Sequence, residues 1–73
     1  MDVEIKQYGQ WQIASRPPKL GRFFLAWAVR WPDRIRGDGP LSEPHADVWF
    51  EFGRTREDAE EKLLKDLVKK GLM

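Results

Sequence analysis

Phe23-Phe24-Leu25-Ala26-Trp27-Ala28-Val29-Arg30-Trp31 is the stretch on which the fold turns. Its bulky residues Phe23, Leu25, Trp27, Val29 and Trp31 recur at every second position, and Phe24, Ala26, Ala28 and Arg30 fill the alternate ones. Period two is the signature of a β-strand, whose successive side chains point to opposite faces. The bulky set is expected to face the core, and the set containing the two alanines to face outward. Pro32 cannot donate to a ladder and stops the strand.

On the N-terminal side, Trp11 and Ile13 alternate with Gln10, Gln12 and Ala14, which gives a strand from Gln10 to Ser15. The same pattern leaves open an extension back to Val3 through Gly9. Pro17-Pro18 ends that strand, and Lys19 to Gly21 make the turn. On the C-terminal side, residues 32–46 read as a loop. Connections longer than about 12 residues are uncommon in small domains and are usually functional or mobile. A third strand follows from Asp47 to Phe52, with Val48, Phe50 and Phe52 on one side and Trp49 and Glu51 on the other.

The helix signal comes next. Thr55 is placed to cap a helix whose first turn carries Glu57 and Asp58, where the partial positive charge of the helix end favours carboxylates. Ala59, Leu63, Leu64, Leu67 and Val68 make one apolar stripe, Lys69 and Lys70 suit the last turn, and Gly71 stops it. Residues 1–73 therefore read as one α+β domain, a three-stranded antiparallel sheet (β-β-β-α) with a single C-terminal helix packed on its bulky face. One helix covers one face. Phe24, Arg30, Trp49 and Glu51 are then expected on the uncovered face, as a partner-binding surface.

Composition bounds the rest. Apolar residues make up 41% of the chain and charged residues 34%, with four Trp and four Phe, which is the make-up of a folded domain and not of a solvated tail. No Cys is present, so disulfides, thiolate metal sites and cysteine nucleophiles are excluded, and cytoplasmic residence is expected. The acidic start, Met1-Asp2-Val3-Glu4, lacks the apolar run of a signal peptide, and Phe23 to Val29 is too short to span a bilayer. Net charge is +1, yet residues 11–36 carry +5 and residues 37–73 carry −3. The basic stretch also holds three of the four Trp. Arg16, Lys19, Arg22, Arg34 and Arg36, interleaved with aromatic rings, define an alternative reading as a nucleic-acid surface, in which bases stack on rings and guanidinium groups neutralise phosphates.

No catalytic or metal set assembles from these residue types, and no cofactor is expected. His45 is the only histidine and reads as a solvated loop residue. Asp33, Asp38 and Asp47 match no ion-binding spacing, and Arg34 and Arg36 between them oppose a cation. Gly37-Asp38-Gly39-Pro40 lacks the Lys and Ser or Thr of a phosphate cradle and reads as a turn. The chain is therefore not expected to be an enzyme.

Gly53-Arg54-Thr55-Arg56-Glu57-Asp58-Ala59 and the helix after it resemble the strand-to-helix junction of HicB-type antitoxin domains, whose pattern is Gly-x-Thr-x-Glu-Glu-Ala. The aromatic strand ending in Pro32-Asp33 is similar to their second strand. The resemblance implies a β-β-β-α core, sometimes with a further short strand, used for binding a protein and carrying no catalytic residues. Two functions are thus expected in order. The first is a small protein-interaction module, self-associating in its simplest form, and the second is a nucleic-acid-binding domain.

Overall fold

A computed structural model describes residues 3–42 and 47–73. It contains four strands, β1 (Glu4–Tyr8), β2 (Trp11–Arg16), β3 (Phe24–Arg30) and β4 (Trp49–Gly53), and one helix, α1 (Arg56–Lys69). All neighbours pair antiparallel in the order β1-β2-β3-β4, so the sheet is a simple meander with β1 and β4 as its edges. The α+β class, the antiparallel sheet and the single packed helix agree with the sequence pattern. The strand count does not, because Glu4–Tyr8 forms a strand of its own. Tyr8 pairs with Trp11 across a two-residue loop, Gly9-Gln10. Gly9 has φ +59°, the sign that the first position of a type II′ hairpin turn requires and that glycine adopts freely.

The helix is built as its sequence dictates. Thr55 Oγ1 accepts the Asp58 N–H at 3.0 Å, and Asp58 Oδ2 accepts the Arg54 N–H at 3.1 Å, so two backbone donors at the helix start are satisfied reciprocally. That backbone hydrogen bond, with Lys62 at 3.3 Å, holds the Asp58 carboxyl below its ordinary range. At the other end Gly71 has φ +74° and its N–H reaches Val68 O at 3.0 Å, while Leu72 N–H reaches Leu67 O at 2.9 Å. These two bonds make a Schellman motif, and Leu72 returns its side chain to the core.

The two faces of the sheet are the reverse of the expected assignment. Ala59, Leu63 and Leu67 of α1 pack with Trp11 and Ile13 of β2 and with Ala26 and Ala28 of β3, and Phe24 and Trp49 border this core. The helix therefore lies on the alanine face of β3. Leu25 and Trp27, from the bulky face, belong to a second cluster with Ala14, flanked by Val3, Ile35 and Val48. The physical reason is closeness of approach. Small residues let a helix settle onto a sheet, and the limit is reached at Gly53. A Cβ there would stand 2.3 Å from Ala59 N and 2.7 Å from Ala59 Cα, both backbone atoms. Large residues on the other face leave a thinner layer to fill, and the loop after β3 fills it. Phe23 and Trp31, also expected in the core, are exposed beyond the strand ends.

The loop is anchored across the outer face. Ile35 N–H donates to Gln12 Oε1 at 2.9 Å, and Lys19 pairs with Asp38 at 2.6 Å. Between these anchors Ile35 lies on the Ala14–Leu25–Trp27 cluster, and Trp27 is fully buried. A domain expected to have one covered face thus has a helix on one side and chain on most of the other.

Candidate interaction surface

Among the described residues, the outer cover stops short of β4. Phe50 and Phe52 sit two residues apart on that strand, so both point to the outer face, and each is 51% exposed. Their rings meet edge to face, with centroids 5.9 Å apart and planes at 86°. They line a groove of about 400 Å³ together with Leu25, Pro40, Leu41, Arg16, Lys19 and Asp38. Leu41, in the short helical turn Pro40–Ser42, has its whole side chain exposed. A strip of aromatic and aliphatic surface along a sheet edge is the usual form of a contact surface.

The inner side of β4 is different. Glu51 faces α1 and lines a second groove with Lys62, Lys65, Asp66 and Lys69. Lys62 reaches Asp58 at 3.3 Å, Lys65 reaches Glu61 at 2.8 Å, and Lys70 takes Asp66 at 3.0 Å. The Glu61 carboxylate holds the Lys65 ammonium above its ordinary range. β4 is therefore apolar on one side of its edge and lined with ammonium groups on the other.

Of the residues expected to bind a partner, Phe24, Arg30, Trp49 and Glu51, all four lie on the helix-covered face and are half-buried. The structure joins two of them: the Arg30 guanidinium lies 4.8 Å from the Trp11 ring centroid and 6.0 Å from that of Trp49, and the two indoles meet edge to face at 5.2 Å. Phe24 is at the opposite end of β3, paired with Gly53, and the Arg56 guanidinium lies 5.8 Å from its ring. Arg30 and Trp49 also line an open groove of about 280 Å³ with Trp31, Pro32, Asp33 and Asp47.

The basic residues of the alternative reading do not converge. Arg16, Lys19 and Arg22 are at or beyond one end of the sheet, whereas Arg34 stacks on the exposed Trp31 at 4.5 Å beyond the other end. The six residues of β2 alone separate the two ends by roughly 17 Å. Arg16 donates to the Pro17 carbonyl at 3.3 Å, Lys19 is held by Asp38, and Arg36 is exposed in the crossing loop. His45 lies outside the described residues. Among the described residues no three His, Cys, Asp or Glu side chains are grouped to hold a metal, and no helix is long and apolar enough to cross a membrane.

What the sequence reading missed is Phe50, Phe52 and Leu41. Alternation had already put Phe50 and Phe52 on one side; the missing signal was which side the helix takes. Gly53, Ala26 and Ala28 carry that signal, because small residues at the centre of that face leave room for the helix backbone, with Trp11, Ile13 and Trp49 packed around it. No protein-family model, curated protein or solved structure matches the chain.

Proposed function

We propose that this chain is a small protein-interaction module, without catalysis, that works through the outer face of β4 and self-associates there in its simplest form. The observation that carries the reading is the pair of half-exposed phenylalanines on an edge strand, beside the exposed Leu41. Half of a phenylalanine side chain is about 100 Å². Two rings from each of two copies offer about 400 Å², or about 10 kcal/mol at 25 cal/mol per Å². The freedom lost on association costs a similar amount, about 4–15 kcal/mol, so the contact is weak and reversible. The resemblance of residues 53–59 to HicB-type domains points the same way, because toxin neutralisation by such a core is a protein–protein contact. The lack of cysteine suits a reducing compartment such as the cytoplasm.

Two measurements test the reading together. Sedimentation equilibrium of the wild-type chain, from about 10 μM upward, is compared with that of Phe50→Ser/Phe52→Ser. In parallel, displayed random peptides are selected against both proteins. Self-association or a selected peptide that depends on Phe50 and Phe52 supports the module. If neither depends on them, the reading is wrong.

A further inference from the structure

We infer that two copies of this chain pair edge to edge, β4 against the partner's β4, in antiparallel register centred on Glu51, to make one continuous sheet. The inference rests on the interaction-module reading and specifies its partner and geometry.

Three observations carry it. First, among the described residues, one edge of the sheet lacks guarding charges. β1 carries Glu4 and Lys6, which are tied to α1 through Arg56 and Glu60 at 3.0 Å each. β4 reads Trp49-Phe50-Glu51-Phe52-Gly53, with no Lys, no Pro and one charge. Charges and prolines are what ordinarily stop an edge strand from pairing with another copy.

Second, the apolar residues are self-complementary in one register. A two-fold axis perpendicular to the sheet closes the pair and forbids a growing fibre. Centred on Glu51, it sets Phe50 opposite the partner's Phe52 and Phe52 opposite the partner's Phe50. Four rings then share the outer face at cross-strand distance. Centred on Phe50, it would instead oppose Glu51 to the partner's Trp49. Centred on Phe52, it would oppose Phe50 to the partner's Arg54, beyond the end of the strand.

Third, the inner side supplies the countercharge. The Glu51 register brings two carboxylates face to face, and like charges directly opposite one another are unfavourable on their own. Here each glutamate lines a groove with Lys62, Lys65 and Lys69; Lys62 and Lys65 also pair with Asp58 and Glu61 along the helix, which leaves Lys69 as the groove cation without an ion pair among the described residues. Asp66, the other acid of that groove, is taken by Lys70 at 3.0 Å. Pairing therefore brings the two glutamates into a strip that each copy also lines with Lys62, Lys65 and Lys69.

The chain has no cysteine, so Glu51→Cys introduces a lone thiol. Opposed residues of an antiparallel pair have Cα atoms about 4.5–5.5 Å apart, within the span a disulfide bridges. Under mild copper–phenanthroline oxidation, Glu51→Cys is expected to form a covalent dimer at least tenfold faster than Phe50→Cys, whose two copies would lie roughly 8 Å apart. Glu51→Lys, on the same folded chain as judged by circular dichroism, is expected to weaken self-association at least tenfold. Faster self-crosslinking of Phe50→Cys overturns the register. Self-association that needs Phe50 and Phe52 but gives no Glu51→Cys crosslink overturns the edge pairing and leaves the module reading standing, as face-to-face contact. A wild-type chain that stays monomeric at about 1 mM overturns the pairing outright, and a peptide selected by Phe50 and Phe52 would then name a foreign strand as the occupant.

Discussion

β1 and β4 are the two edges of one sheet, five residues each, and they are treated in opposite ways. β1 faces solvent with every residue exposed, and its charges reach across to the helix. Lys6 pairs with the buried Glu60, and Glu4 with Arg56, whose guanidinium also donates to Ser15 O at 2.8 Å and to Ser15 Oγ at 2.9 Å. That edge is finished within the chain. β4 is held by α1 on its inner side and, among the described residues, by nothing comparable outside, where Phe50 and Phe52 stand half out of the protein. The contrast is one of charge: the ion pairs of the sheet edges are concentrated on β1, and the outer face of β4 is left apolar.

The comparison breaks most severely at Gly53. Gly53→Val places side-chain atoms inside the backbone of α1 and should cost about 3 kcal/mol or more, measured by urea unfolding, since backbone cannot yield as a flexible side chain can. Next is the fastening of β1. Arg56→Met leaves the fully buried Ser15 without its guanidinium donor and Glu4 without its partner, and should cost about 2 kcal/mol in the same assay. The third test sharpens the contrast. Ile5 of β1 is 51% exposed on the same outer face as Phe50 and Phe52. Ile5→Ser and Phe50→Ser should each lower stability by about 1 kcal/mol, yet only Phe50→Ser should reduce self-association by sedimentation.

The smallest effects are electrostatic and appear at opposite ends of the pH scale. Hydrogen bonding to the Arg54 N–H lowers the Asp58 pKa from its usual 3.8. Its contribution is present above that value and is lost as pH falls through the lowered one; Asp58→Asn should remove this acid limb from a stability profile. Glu60 raises the Lys6 pKa above 10.5, through a hydrogen bond first and charge second. That contribution is complete below 10.5 and is lost as pH rises through the raised value, so Lys6→Met should flatten the alkaline limb.

Much of the fold was legible in the residues. The alternation through Phe23–Trp31 predicts a strand there, which the structure shows one residue shorter at each end, and Thr55, Asp58 and Gly71 mark the helix ends through caps that the structure shows bond by bond. β1 was only half legible, because Glu4-Ile5-Lys6-Gln7-Tyr8 buries nothing and an exposed edge strand needs no apolar alternation. The choice of face was misread for one reason. Size was taken as the mark of the core, whereas Ala26, Ala28 and Gly53 show that a helix selects the face it can approach. The loop then hid the bulky face, since Ile35 and Gln12, far apart in sequence, meet only after the chain folds across. The candidate surface inherited that inversion and moved from Phe24 and Trp49 to Phe50 and Phe52.

The most direct measurement is an amide NMR dilution series on the wild-type chain, from about 1 mM down to about 10 μM. Edge pairing through β4 should give concentration-dependent shifts confined to Trp49–Gly53 and the facing lysines of α1, with Glu4–Tyr8 unmoved. Shifts centred on Glu4–Tyr8, or a spectrum that does not change across the series, would contradict it.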